Sequence, residues 1–144
     1  RVLFLCTHNS ARSQMAEALL RHAGAGQISV FSAGTEPASV HPDAISTMDA
    51  LGIDIHDQQA KHVDQFSDQA FDYVVTVCDR AREVCPTFPG KAVQIHWGYP
   101  DPTGIEDETE RLHTFMQTAQ ALQQRIQYFL AGLQMTDTHE TEIG

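Results

Sequence analysis

Val2-Leu3-Phe4-Leu5-Cys6-Thr7-His8-Asn9-Ser10-Ala11-Arg12-Ser13, running on into Gln14-Met15-Ala16-Glu17, is the stretch from which the fold is read. Residues 2–5 are a continuous apolar run, the pattern of a central parallel strand buried on both faces. A seven-residue loop follows from Cys6 to Arg12. Met15, Ala16, Ala18, Leu19, Leu20 and Ala23 then recur at helical spacing, with Gly24 as the stop. Ser13 is expected to cap this helix, with its hydroxyl also within reach of the loop. An anion at a helix N-terminus meets unpaired N–H groups and the positive end of the helix dipole. Arg12 adds a planar guanidinium suited to bidentate capture of a tetrahedral oxyanion. Cys6 shares that positive potential, so it is expected to ionise more readily than a free thiol and to act as a nucleophile.

Working outward, 144 residues give one domain, large enough to bury most of its apolar surface. An apolar content of 42% with 19% charged residues is that of an ordinary globule. A net charge of −10 argues against a nucleic-acid surface, so positive charge for an anion must be concentrated locally. No run approaches transmembrane length and no signal peptide precedes the first strand. Three cysteines, Cys6, Cys78 and Cys85, do not make a secreted disulfide scaffold. A cytoplasmic protein with reactive thiols is expected. Arg1 is not a natural start, so the chain is expected to be processed or cut from a longer one.

Further along, Ile28–Ser32 reads as a short strand leading to Ala33-Gly34-Thr35, and Pro42–Leu51 as a helix stopped by Gly52. Residues 53–55 are too short for a strand, and 56–69 are polar with room for a short helix. Asp72–Val77 is a β-branched strand that delivers Cys78 at its end, followed by a helical turn or two over 79–84. Ala92–Ile95 is a fourth strand, leading into the rigid turn-rich loop His96-Trp97-Gly98-Tyr99-Pro100-Asp101-Pro102-Thr103-Gly104. From about Glu106 to Leu133, apolar residues at spacings of three, four and seven predict a long core-packing helix. Residues 135–144 form a polar tail beyond the domain at 1–134. Alternating strands and helices imply a single-domain three-layer α/β/α fold with a four-stranded parallel sheet. Ligands of such sheets sit at the carboxyl ends of strands, where the Cys6 loop, Cys78 and Asp101 could converge. The histidines show no metal-ligand spacing, and no metal site is expected.

Cys6-x5-Arg12-Ser13 after the first strand, Ser32-Ala33-Gly34-Thr35 and Asp101-Pro102 resemble the low-molecular-weight protein tyrosine phosphatases. Within that fold the chain is more similar to the thioredoxin-coupled arsenate reductases. Gln14 stands where the phosphatases usually carry proline, Cys78 and Cys85 match the reductases' redox pair, and His96–Pro102 resembles their acid loop. The resemblance implies that Thr7, His8, Asn9, Ser10, Ala11 and Arg12 cradle the oxyanion, arsenate or its mimics phosphate and sulfate. It implies that Cys6 attacks the central atom, that Ser13 supports the thiolate and that Asp101 is the general acid. It also gives Asn9 a left-handed backbone, which asparagine tolerates.

In a phosphatase, water hydrolyses the cysteine adduct. The reductase resemblance instead implies that Cys78 attacks Cys6 and releases arsenite, and that Cys85 then attacks Cys78. The Cys78–Cys85 disulfide is left to thioredoxin, with no bound cofactor. Helical residues seven apart are too far for a disulfide, so the relay predicts local unfolding of 79–85. Some reductases hold potassium through positions matching Asn9, Glu17, Ser32 and a carboxylate near residue 61. Lys61 stands there in this chain, and its ammonium is expected to replace the cation. His8 either adds positive charge to the cradle or faces solvent. Two alternatives remain: a phosphatase using Cys6, Arg12 and Asp101, and a non-catalytic oxyanion-sensing module attached to an upstream domain. The second is disfavoured, because binding an oxyanion needs neither Cys6 nor an acid loop.

Overall fold

Four parallel strands lie in the order β2-β1-β3-β4, with β1 at Val2–Cys6, β2 at Val30–Gly34, β3 at Tyr73–Thr76 and β4 at Val93–His96. This computed structural model describes residues 1–78, 85–86 and 88–143, with side chains through residue 133. The helical turns expected over 79–84, and with them most of the predicted unfolding segment, lie outside the described residues. Among the described residues three helices accompany the sheet: α1 at Arg12–Ala23, α2 at Pro42–Ala50 and α3 at Glu108–Ile143. Short 3-10 turns occupy Val63–Phe66 and Pro102–Gly104.

β1 is buried along its whole length, as its unbroken apolar run requires. Each of its large side chains stabilises the fold by about 1.5–3 kcal/mol relative to exposure. Alternation sorts them between two faces. Phe4, in register with Ser32 and Val75, stacks against Trp97, which meets Phe129 of α3. Leu3, in register with Phe31 and Val74, faces the other way, where Phe31 contacts Phe66 and Phe71, and Phe71 contacts Phe88. Helices α1, α2 and α3 pack on one another, and the Arg111–Asp43 ion pair ties α3 to α2.

The fold is the expected α/β domain, with differences at element ends. β2 and β4 are displaced toward the C-terminus, by two residues and by one, because pairing with a neighbour, not local pattern, sets where a strand stops. α1 stops at Gly24 as expected, yet Gly24 has φ −76° and Ala25 takes the left-handed turn at φ 49°. At Gly24 an added Cβ would make a tight contact, 3.0 Å from the Leu20 carbonyl oxygen. α3 continues to Ile143, through the segment read as a polar tail. Ser13 does not cap α1. The N-cap position is Ala11, without a side-chain hydrogen bond, and Ser13 lies within the first turn. A capping oxygen there would fill the space over the amides that an anion needs.

The chain passes from β1 outward to β2 and then back across to β3, so the order reverses between β1 and β3. A crevice opens at the carboxyl ends of strands at such a switch point. Cys6 ends β1 and Cys78 follows β3, which brings both cysteines to that crevice.

Candidate active site

Four peptide carbonyls fix the loop between Cys6 and Arg12. Those of Thr7, His8 and Ser10 accept from the backbone N–H groups of Glu36, Ala38 and His41 at 2.8, 2.9 and 2.9 Å. The Asn9 carbonyl accepts from the Gln14 side chain at 2.9 Å. In a trans peptide the N–H points opposite to the carbonyl. Pinning these carbonyls to the segments around the loop therefore turns the amides of residues 8–11 to its inner side. Among the described residues, the amides of Asn9, Ser10 and Ala11 have no hydrogen-bond acceptor. Asn9 takes the left-handed backbone at φ 51°, and its side chain donates to Ser13 Oγ at 2.8 Å. Gly34 forms the floor. A Cβ there would stand 2.6 Å from the Thr7 oxygen and 2.9 Å from the Asn9 nitrogen, so only glycine lets β2 approach so closely.

Arg12 is buried at the start of α1. Its Nη1 donates to the Tyr99 carbonyl at 2.7 Å, and its Nη2 stands 3.8 Å from Asp101. Nε has no partner among the described residues. An unsatisfied buried donor costs about 1–3 kcal/mol, which an oxyanion in the loop would recover. Asp101 Oδ1 caps the turn after it, accepting from the Thr103 amide at 3.0 Å and its hydroxyl at 2.7 Å. Burial favours the neutral acid, but the two Thr103 bonds, Arg12 and His8 together hold the carboxyl below its ordinary value. Asp101 is thus ionised while the cradle is empty. His8 is exposed, its Nδ1 2.9 Å from the Glu36 carbonyl oxygen, yet it adds positive potential at Asp101.

Cys6 and Cys78 are both buried with free thiols, at or just past the carboxyl ends of the paired strands β1 and β3. Thr7 Oγ1 lies 3.3 Å from Cys78 Sγ. The neighbouring Cys78 thiol and then burial push the Cys6 thiol upward, against the pull of Arg12 and the His8 amide. The expectation of a readily ionised Cys6 is corrected in this respect. Arg12 does favour the thiolate, but the neighbouring sulfur outweighs it, and the two thiols titrate as a pair. Cys85 is half-buried, its thiol 3.6 Å from the Pro86 carbonyl oxygen, and burial raises its pKa.

Behind the loop, the buried Glu17 carboxylate accepts from Ser32 Oγ and pairs with Arg21 at 2.7 Å and with Lys61 at 3.6 Å. The Lys61 ammonium also donates to the Gln59 carbonyl at 2.8 Å, and the Lys61 amide donates to Asn9 Oδ1 at 2.9 Å. Positive charge thus stands beside Glu17, where the sequence places Lys61. The backbone donors of 36–41, the Tyr99 carbonyl and the Gln14 clasp escaped the sequence reading. Main-chain partners leave no trace in residue type; only Gly34 carried a readable signal, as a glycine ending a strand.

Residues 1–139 match the family described as low molecular weight phosphotyrosine protein phosphatase. An arsenate reductase of Halalkalibacterium halodurans is 39% identical over 129 residues, covering 89% of this chain and 93% of that one. A solved structure of an arsenate reductase in its phosphate binding state superposes with a TM-score of 0.76 at 32% identity, over 91% of this chain and 96% of the other. The thioredoxin-dependent arsenate reductase of Corynebacterium glutamicum gives a TM-score of 0.72 at 32% identity, over 94% of this chain and 62% of its own.

Proposed function

Because the chain belongs to the low molecular weight phosphotyrosine protein phosphatase family, we propose that it works within that family as an arsenate reductase. The observation that carries the reading is a second buried free thiol, Cys78, just past the end of the strand paired with β1, within 3.3 Å of Thr7 Oγ1 beside the Cys6–Arg12 loop. Hydrolysis of a cysteine adduct needs no second thiol; reduction does.

Arsenate enters the cradle of inward amides and Arg12, and its charge supplies the acceptor that Arg12 Nε lacks. The anion's negative charge also opposes ionisation of Asp101, raising its pKa so that it can carry a proton. The Cys6 thiol passes its proton to a basic arsenate oxygen, the resulting thiolate attacks arsenic in line, and Asp101 gives its proton to the departing oxygen, which leaves as water. Cys78 then attacks the Cys6 sulfur. The sulfur–arsenic electron pair stays on arsenic, reducing it from the pentavalent to the trivalent state, and arsenite leaves. The Cys6–Cys78 disulfide so formed is opened by the Cys85 thiolate attacking Cys78, which frees Cys6. A dithiol of the thioredoxin class reduces the remaining Cys78–Cys85 disulfide. The likeness to a reductase named as thioredoxin-dependent supports that choice of reductant.

Mass spectrometry of disulfides after a single turnover tests the relay. A Cys78–Cys85 link with Cys6 free is the expected result, and arsenite release without any disulfide would overturn it. With thioredoxin, thioredoxin reductase and NADPH, Cys78→Ser should release no arsenite over repeated turnovers.

A further inference from the structure

Three of the four clamped carbonyls are held by main-chain donors, which no side-chain substitution removes. The carbonyl of Asn9 is different, because among the described residues only the Gln14 carboxamide holds it. We propose that Gln14 is a positioning residue that aims the Ser10 amide at the bound oxyanion by keeping the Asn9 carbonyl turned away from it.

Gln14 is fully buried in the first turn of α1, where a long side chain leans back toward the helix N-terminus and the loop before it. Its Nε2 lies 2.9 Å from the Asn9 carbonyl, 2.9 Å from Asn9 Oδ1 and 2.9 Å from the Gln59 carbonyl. Three oxygens surround the nitrogen. The other end of the amide, Oε1, accepts from Gln58 Nε2 at 2.7 Å, which fixes which end faces the loop. Asn9 is held in the left-handed region, a conformation that costs an L-residue about 1–2 kcal/mol. Without the Gln14 donor, the Asn9–Ser10 peptide can relax by rotating. Rotation would carry the Ser10 N–H away from the cradle and bring a carbonyl toward it, replacing an attraction for the anion with a repulsion.

The inference rests on the oxyanion-binding reading above, and the test separates the two. Amide NMR follows each loop N–H during titration with inorganic phosphate, and calorimetry gives the affinity. In the unaltered chain the Asn9, Ser10 and Ala11 amides should all shift downfield as they bond the anion. In Gln14→Met, similar in shape but with no donor, the Ser10 shift should be lost while that of Ala11 remains. The phosphate Kd should rise about tenfold or more. Gln58→Ala, at a partly exposed position, keeps Gln14 but frees its amide to turn, so a smaller loss at Ser10 is expected. It carries the test if Gln14→Met does not fold. An unchanged Ser10 shift with unchanged affinity in the variant that folds would overturn the clasp alone. Silence of the unaltered chain toward phosphate would overturn the oxyanion reading and the clasp with it.

Discussion

A Cβ on Gly34 would lie 2.6 Å from the carbonyl oxygen of Thr7, so the last residue of β2 supports the Cys6–Arg12 loop by having no side chain. The same residue donates its amide to the Lys61 carbonyl at 2.8 Å. Loop, strand and the segment around residue 61 therefore meet at one point.

Gly34→Ala should displace the loop. The contacts are with backbone atoms, which cannot swing aside as a flexible side chain would. Overpacking of this kind costs about 1–3 kcal/mol, measurable by denaturant unfolding. Phosphate affinity should fall in the same variant, because the amides no longer converge.

Lys61→Met should leave Glu17 with Arg21 and Ser32 alone. Removing one partner of a fully buried pair costs several kcal/mol. Lys61 is 25% exposed and Arg21 remains, so about 1–2 kcal/mol is expected. Potassium added to this variant should restore part of the loss, because the buried Glu17 carboxylate has then lost one of its two cationic partners. The readout is thermal unfolding with and without the salt, using sodium as the control.

The Cys6–Cys78 pair should lose its protons in two well-separated steps, seen in thiolate ultraviolet absorbance in a Cys85→Ser background. The thiolate left by the first ionisation, together with burial, raises the second. Cys78→Ala should replace the two steps with one, at a pH below the second step.

His56 should titrate above its ordinary value of 6.5, because Asp54 hydrogen-bonds its Nδ1 at 2.6 Å and Asp49 adds attraction. A raised folded-state pKa stabilises the fold below the unfolded value, and that contribution is lost as pH rises through the folded one. NMR of the imidazole checks the shift, and Asp54→Asn should move it back down.

The strand, loop and helix around Cys6 and Arg12 were readable in the chain itself. An apolar run ending in Cys6, an arginine six residues on and a helical pattern starting there can form few structures other than a strand, an anion loop and a helix. The left-handed backbone of Asn9 was legible through the family resemblance, and asparagine is a residue that tolerates it. Ser13 was misread as a cap, since the same hydroxyl chemistry serves equally as an acceptor for Asn9, and only the packing chooses. The ionisation of Cys6 was misjudged because Arg12 lies close in sequence while Cys78 lies 71 residues beyond Thr7, the loop residue it touches.

Sequence by itself determined the local pieces: the parallel strands, the Cys6–Arg12 loop, the turn-rich stretch from His96 to Gly104 and the presence of three thiols. These follow from periodicity and residue chemistry, which act over a few residues. Only the tertiary structure decided that the strand order reverses between β1 and β3, joining Cys6 to Cys78 in the crevice there. Only it decided that the amides of Glu36, Ala38 and His41, with the side chain of Gln14, turn the loop amides toward an anion. Every residue but proline carries a backbone N–H and C=O, so which of them pair is invisible until the chain has folded.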